Sequence, residues 1–72
     1  MTLNYYPETD SLYIDLSELA SVESREVSEG VVLDYDQLGN LVGIDIDNAS
    51  TRVQLSRLRL SGLPSVIETA RD

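Results

Sequence analysis

Apolar and polar residues alternate with a period of two through most of residues 1–48, and this commits the chain to strands with one apolar face. Met1, Leu3 and Tyr5 alternate with Thr2, Asn4 and Tyr6. Leu12, Ile14 and Leu16 alternate with Ser11, Tyr13, Asp15 and Ser17. Between the two runs lies Pro7-Glu8-Thr9-Asp10, a turn composition in which Pro fixes φ. A four-residue loop there pairs Tyr5 with Leu12 and Leu3 with Ile14, which brings both apolar sets to the same face.

A second hairpin follows the same logic. Val31–Asp36 and Leu41–Asp47 flank the loop Gln37-Leu38-Gly39-Asn40, which pairs Tyr35 with Val42, Leu33 with Ile44, and Val31 with Ile46. Gly39 or Asn40 supplies the positive φ the loop needs. A slip of one residue would split the apolar rows between faces, so the loop length must be even. Leu16–Ser21 reads as a loop. Val22–Val27, charged at Glu23, Arg25 and Glu26, reads as a short edge strand on which charge deters edge-to-edge pairing. Gly30 breaks or bulges the chain.

The apolar face needs a cover, and the tail offers one. Asn48 or Ser50 can cap a short helix over Ala49–Val53. A helical turn over Ser56–Ser61 would present Leu55, Leu58 and Leu60, and Gly62 would end it. Ser65–Ala70 then follows helical spacing after Pro64. Val53 and Leu55, then Leu58 and Leu60, also fit a further strand. The expected fold is α+β: an antiparallel β-meander of four to five strands, with hairpins at 1–17 and 31–47 and one or two short C-terminal helices over one face. Residues 1–72 are expected to form a single domain, 1–50 as sheet and 51–72 as helical tail.

Composition matters here for what it removes. A 72-residue chain buries only about 60% of its unfolded surface. Without Cys or His, neither a disulfide nor a Cys/His zinc site can reinforce it, which leaves self-association as a homodimer. Lys is absent, so Schiff-base chemistry is excluded. General acid–base work would fall to exposed Asp, Glu or Tyr, a poor basis for an enzyme, and no cofactor motif is present. No apolar run nears the roughly 20 residues of a membrane span, and Met1–Tyr6 lacks the segments of a signal peptide. A cytoplasmic location is expected.

Charge is unevenly placed. Residues 1–50 hold eleven acids against Arg25, while Arg52, Arg57, Arg59 and Arg71 oppose only Glu68 and Asp72 in the tail. The net charge of −8 disfavours nucleic acid and favours a cationic partner. In the register above, Tyr6, Tyr13, Asp15, Asp34, Asp36, Asp45 and Asp47 all point away from the apolar face. Acidic residues on the wet side of a sheet, with two tyrosines among them, suit a protein interface. Asp34-x-Asp36-x-x-Gly39 resembles the start of a calcium loop, but Leu38 and Asp45 stand where that loop wants an oxygen ligand and a Glu. Asp34, Asp36 and Asp45 are therefore weak candidates for a divalent cation, and no metal site is expected. The tail arginines are expected to pair with acidic residues of this chain or a neighbour.

Three stretches carry a resemblance: Tyr5–Ile14, Arg25–Asp36, and Gly39–Ile46 continuing to Asn48-Ala49-Ser50. They resemble the DUF2283 family of small prokaryotic proteins, whose motifs are Y-D-x-x-x-D-x-L-Y-I and G-V-x-x-D-Y-D-x-x-G-x-L-V-G-I-E-I. Tyr6 stands where that family usually has Asp, and Asp45 where it has Glu. The resemblance covers residues 1–50 and implies a small, mostly β or α+β domain without assigned catalytic residues. It also implies an antitoxin-like association with small toxin-type proteins, in which an acidic sheet face could occupy a basic, RNA-cleaving cleft. The expected function is thus a non-enzymatic interaction module with a basic protein partner. The alternatives are a weak cation or small-ligand site on the same carboxylates, or a purely structural homodimer.

Overall fold

The computed structural model of the protein describes residues 1–56 and 61. Five strands, β1 (Thr2–Tyr6), β2 (Ser11–Asp15), β3 (Glu23–Ser28), β4 (Val31–Tyr35) and β5 (Leu41–Ile46), precede one helical turn, α1 (Ala49–Arg52). All pairings are antiparallel and form one sheet in the order β1-β2-β5-β4-β3.

This order corrects the expected meander. The chain leaves β2 and crosses to the far edge to make β3, and β5 later returns to lie between β4 and β2. Side-chain chemistry explains the arrangement. Pairing β2 with β5 sets Leu12 against Ile46 and Ile14 against Ile44. The charged segment Glu23–Ser28, exposed along its whole length, goes to an edge. Only one helical turn is described. The helix expected over Ser65–Ala70 lies outside the described residues, as does most of the turn expected over Ser56–Ser61.

Both hairpin registers follow the pleat. Leu3 faces Ile14 and Tyr5 faces Leu12; Leu33 faces Ile44 and Val31 faces Ile46. The β4–β5 loop differs in one respect. Tyr35 pairs with Leu41, not Val42, and the register shifts between Asp34 and Tyr35. Asp36 N–H donates to Asn40 O at 2.9 Å and closes a loop of odd length. The extra residue in β5 restores the face pattern beyond it, which is what a bulge accomplishes. Gly39, at φ 84°, supplies the positive φ; Asn40 does not.

Directly opposed residues in antiparallel strands share a face. The inner rows are Leu3–Ile14–Ile44–Leu33–Arg25 and Tyr5–Leu12–Ile46–Val31–Ser28. Among the described apolar residues only Leu12, Val42 and Ala49 are buried, at 8%, 3% and 0% exposure, so most of this face is half open. Tyr5, expected in the core, is 38% exposed. Its ring stays on the inner face, but its hydroxyl reaches outward to Asp10.

Candidate functional site

The outer face is built from the alternate positions of the same strands. Its rows are Asn4–Tyr13–Asp45–Val32–Glu26 and Thr2–Asp15–Gly43–Asp34–Ser24. The alternation that turns Leu, Ile and Val inward therefore places Tyr13, Asp15, Asp34 and Asp45 together outside, as the sequence predicts. Tyr6, opposite Ser11, shares this face at the edge and is 51% exposed. Asp47 is exposed just past β5, where its N–H donates to Gly30 O at 2.8 Å.

Gly43 organises the centre. The Tyr13 ring leans across β5 over Gly43, where a Cβ would overlap the phenol oxygen. That gap lets the Tyr13 hydroxyl donate to Asp34 Oδ2 at 2.8 Å, bridging β2 and β4 across the strand between them. Ser24 of β3 donates to the other oxygen, Oδ1, at 2.6 Å. One carboxylate thus ties together three strands. Holding its proton against Asp34 raises the Tyr13 pKa to about 12, with burial and the charges of Asp34, Asp15 and Asp45 adding to the effect.

Asp45 is the electrostatic focus of the face. Partial burial, then the charges of Asp47 and Asp34, push its pKa upward. Among the described residues the one ion pair is Arg25 Nη2 to Glu23 Oε1 at 3.4 Å, and Arg25 belongs to the inner face. There its guanidinium lies 5.5 Å from the centre of the Tyr35 ring. Arg52 packs its guanidinium beside Gly30. Neither of these arginines forms an ion pair with Asp34, Asp45 or Asp47. The expected pairing of Arg57, Arg59 and Arg71 lies outside the described residues.

Asp36 does not join this face. It is only 6% exposed and turns into its own loop. Its Oδ1 accepts from Leu38 N–H and Asn40 N–H, each at 2.9 Å, and its Oδ2 accepts from the Asn40 side-chain amide at 3.4 Å. These donors, led by the Asn40 backbone, lower its pKa. Backbone amides freed by the turn capture a carboxylate that alternation alone would send to solvent. Asp36 is therefore not available to a cation site with Asp34 and Asp45. Among the described residues no group of three or more His, Cys, Asp or Glu is placed to hold a metal ion.

Three contributors escape a reading of the alternation. Ser24 sits in a strand whose register cannot be fixed from its pattern. Gly43 carries a usable signal, since a glycine inside a strand marks close approach. Asp10 looks like an ordinary turn residue, yet at φ 53° it acts as the main tether of α1. Its carboxylate accepts from Tyr5 Oη at 2.7 Å, Ser50 Oγ at 2.7 Å and Ser50 N–H at 3.1 Å, and its carbonyl accepts from Ala49 N–H at 2.9 Å. The hydroxyls of Ser50 and then Tyr5 hold its pKa down, while Tyr5 is raised in return. Asp10 thus fills the acceptor role expected of Asn48 or Ser50, since Asn48 makes no side-chain cap.

No helix among the described residues is long and apolar enough to cross a membrane. No curated protein and no solved structure matches the chain. The model of a family described as "Protein of unknown function (DUF2283)" matches residues 3–50. That span takes in every outer-face residue but Thr2, together with Asp10 and the serine it holds. The chain belongs to the DUF2283 family.

Proposed function

We propose that this chain is a non-enzymatic interaction domain that self-associates and presents its outer sheet face to a basic protein partner. The observation that carries the reading is the cluster of Asp34, Asp45 and Asp47 on and beside one sheet face, where partial burial and then the charges of Asp47 and Asp34 raise the pKa of Asp45. A cationic surface would relieve that repulsion, and oppositely charged patches steer association as well as hold it. Tyr6 and Tyr13 add aromatic area, and Asp15 extends the acidic surface along β2. Capping the basic cleft of a toxin-type protein, as an antitoxin does, is the specific form of the role that this chemistry suits. The same charge disfavours nucleic acid.

The test is co-purification at low salt from the native host, followed by identification of what remains bound. A stoichiometric basic protein, released by salt and lost in Asp34→Asn/Asp45→Asn with the circular dichroism spectrum unchanged, is the expected result. Retention of that partner by the double variant, or of none by the native protein, would overturn the reading. Calorimetric titration with calcium addresses the cation alternative, for which no binding is expected.

A further inference from the structure

The two edges of the sheet are unlike. The outer side of β3 is guarded by Glu23, Arg25 and Glu26, and a register shift between Glu26 and Ser28 interrupts its run. Charge, inward-pointing charge and bulges are the usual obstacles to edge pairing. The opposite edge has none of them. β1, Thr2-Leu3-Asn4-Tyr5-Tyr6, carries no charge and no proline, and pairs with β2 without a register shift. Among the described residues no strand lies on its outer side.

Among the described residues the inner face beside β1 is also incomplete. Leu3, Tyr5, Leu12, Ile14 and Ile46 line one side of an open apolar groove of about 440 Å³, with Val53 and Leu55 across it. The groove runs out to the β1 edge, because Leu3 and Tyr5 belong to β1 itself.

We propose that β1 pairs antiparallel with β1 of a second copy across a two-fold axis at Asn4, joining two five-stranded sheets into one of ten. The pairing is self-complementary. It sets Leu3 opposite the partner's Tyr5 and Asn4 opposite the partner's Asn4. A two-fold axis through a residue pairs odd positions with odd and even with even, so inner faces continue inner faces. Leu3 and Tyr5 of each copy gain apolar neighbours over the edge, and the two grooves become one. A second copy is favoured over a foreign strand because this register matches apolar to apolar and uncharged to uncharged at every position. The outer faces join side by side as well, which extends the acidic surface. This assigns an edge to the self-association proposed above and rests on that part of the reading.

The experiment is solution mass by light scattering at about 300 µM, with Asn4 as the probe. Native protein is expected at twice the 8.0 kDa chain mass. Asn4→Lys sets like charges opposite each other at the axis and is expected to be monomeric with an unchanged far-ultraviolet spectrum. Asn4→Asp is expected to behave likewise, and an equimolar mixture of the two should recover the dimer mass, since opposite charges then meet. Raising salt should strengthen the native dimer of two acidic chains, whereas it weakens a complex with a basic partner. Hydrogen exchange on the native protein supplies a readout free of substitutions. Protection of the amides of residues 2–6 should rise with concentration, while residues 23–28 stay unchanged. A dimer that survives Asn4→Lys, or exchange at residues 2–6 that ignores concentration, overturns the edge and leaves self-association standing. A native monomer at this concentration overturns both.

Discussion

The hydroxyl of Tyr13 donates to Asp34 across an intervening strand, at 2.8 Å, through the space that Gly43 leaves by having no side chain. β2 and β4 are not neighbours, so this bond locks three strands into one relative position. It also fixes the orientation of a carboxylate that the proposed interface uses.

Filling that space should break the lock. Gly43→Ala would force the Tyr13 ring aside, and the expected cost is about 1–3 kcal/mol, the range for overpacking together with a lost hydrogen bond. Urea unfolding measures it. In a Tyr13→Ala background the same substitution should cost clearly less, because the colliding ring is gone. Equal costs in both backgrounds would show that the ring does not occupy the space over Gly43.

Tyr13 should ionise late. Absorbance near 295 nm on raising pH should show a late phase toward about 12, and Tyr13→Phe should remove it. The sign for stability follows from the raised value. The contribution of the hydrogen bond is complete below pH 10 and is lost as pH climbs from 10 to about 12. Native protein should therefore lose its advantage over Tyr13→Phe across that window.

Acid should weaken the fold through Asp10 and Asp36 and spare it through Asp45. The first two have lowered pKa values, so their contribution is present above the ordinary value of 3.8 and is lost as pH falls through their folded values. Asp45 is raised, so its ionisation opposes folding as pH rises past 3.8, and the penalty is complete above its folded value. Asp45→Asn should equal or exceed native stability at pH 7 and lose that advantage at low pH. Asp36→Asn should be less stable at pH 7 and show a flatter acid limb. Urea midpoints from pH 2.5 to 7 test both.

Releasing Asp10 should free the end of the sheet. Asp10→Ala removes three acceptor contacts and places Ala at a positive φ, with an expected fall in melting temperature of roughly 5 °C or more. Ser50→Ala should give a smaller fall. The double variant should lose less than the sum of the two, since both remove the same bonds.

The two hairpin registers could be read because pleat and turn chemistry are local. Leu3 and Tyr5 leave Ile14 and Leu12 little choice of partner once Pro7–Asp10 turns the chain. The partner of β2 on its other side was not legible. β3 and β5 both present antiparallel runs, and only the packing of Ile44 and Ile46 against Ile14 and Leu12 decides between them. The outer aspartates were legible by parity, except where local hydrogen bonding outcompetes it. Asp36 follows the end of β4, and nearby loop amides claim its carboxylate. Asp10 is the converse case, a turn residue whose partner Ser50 is 40 positions away.

The position of β5 also sets the order of events in folding. β2 gains the inner-row neighbours on its second side only when Ile44 and Ile46 arrive, thirty or more positions after Ile14 and Leu12. A nascent chain ending before Leu41 can form hairpins from β1–β2 and β3–β4 but has nothing to join them. Two-stranded ribbons of this kind are at best marginally stable alone. These five strands must therefore assemble late and in one cooperative step, around β5. Non-local closure of this sort slows folding relative to a chain of the same length that pairs each strand with the next.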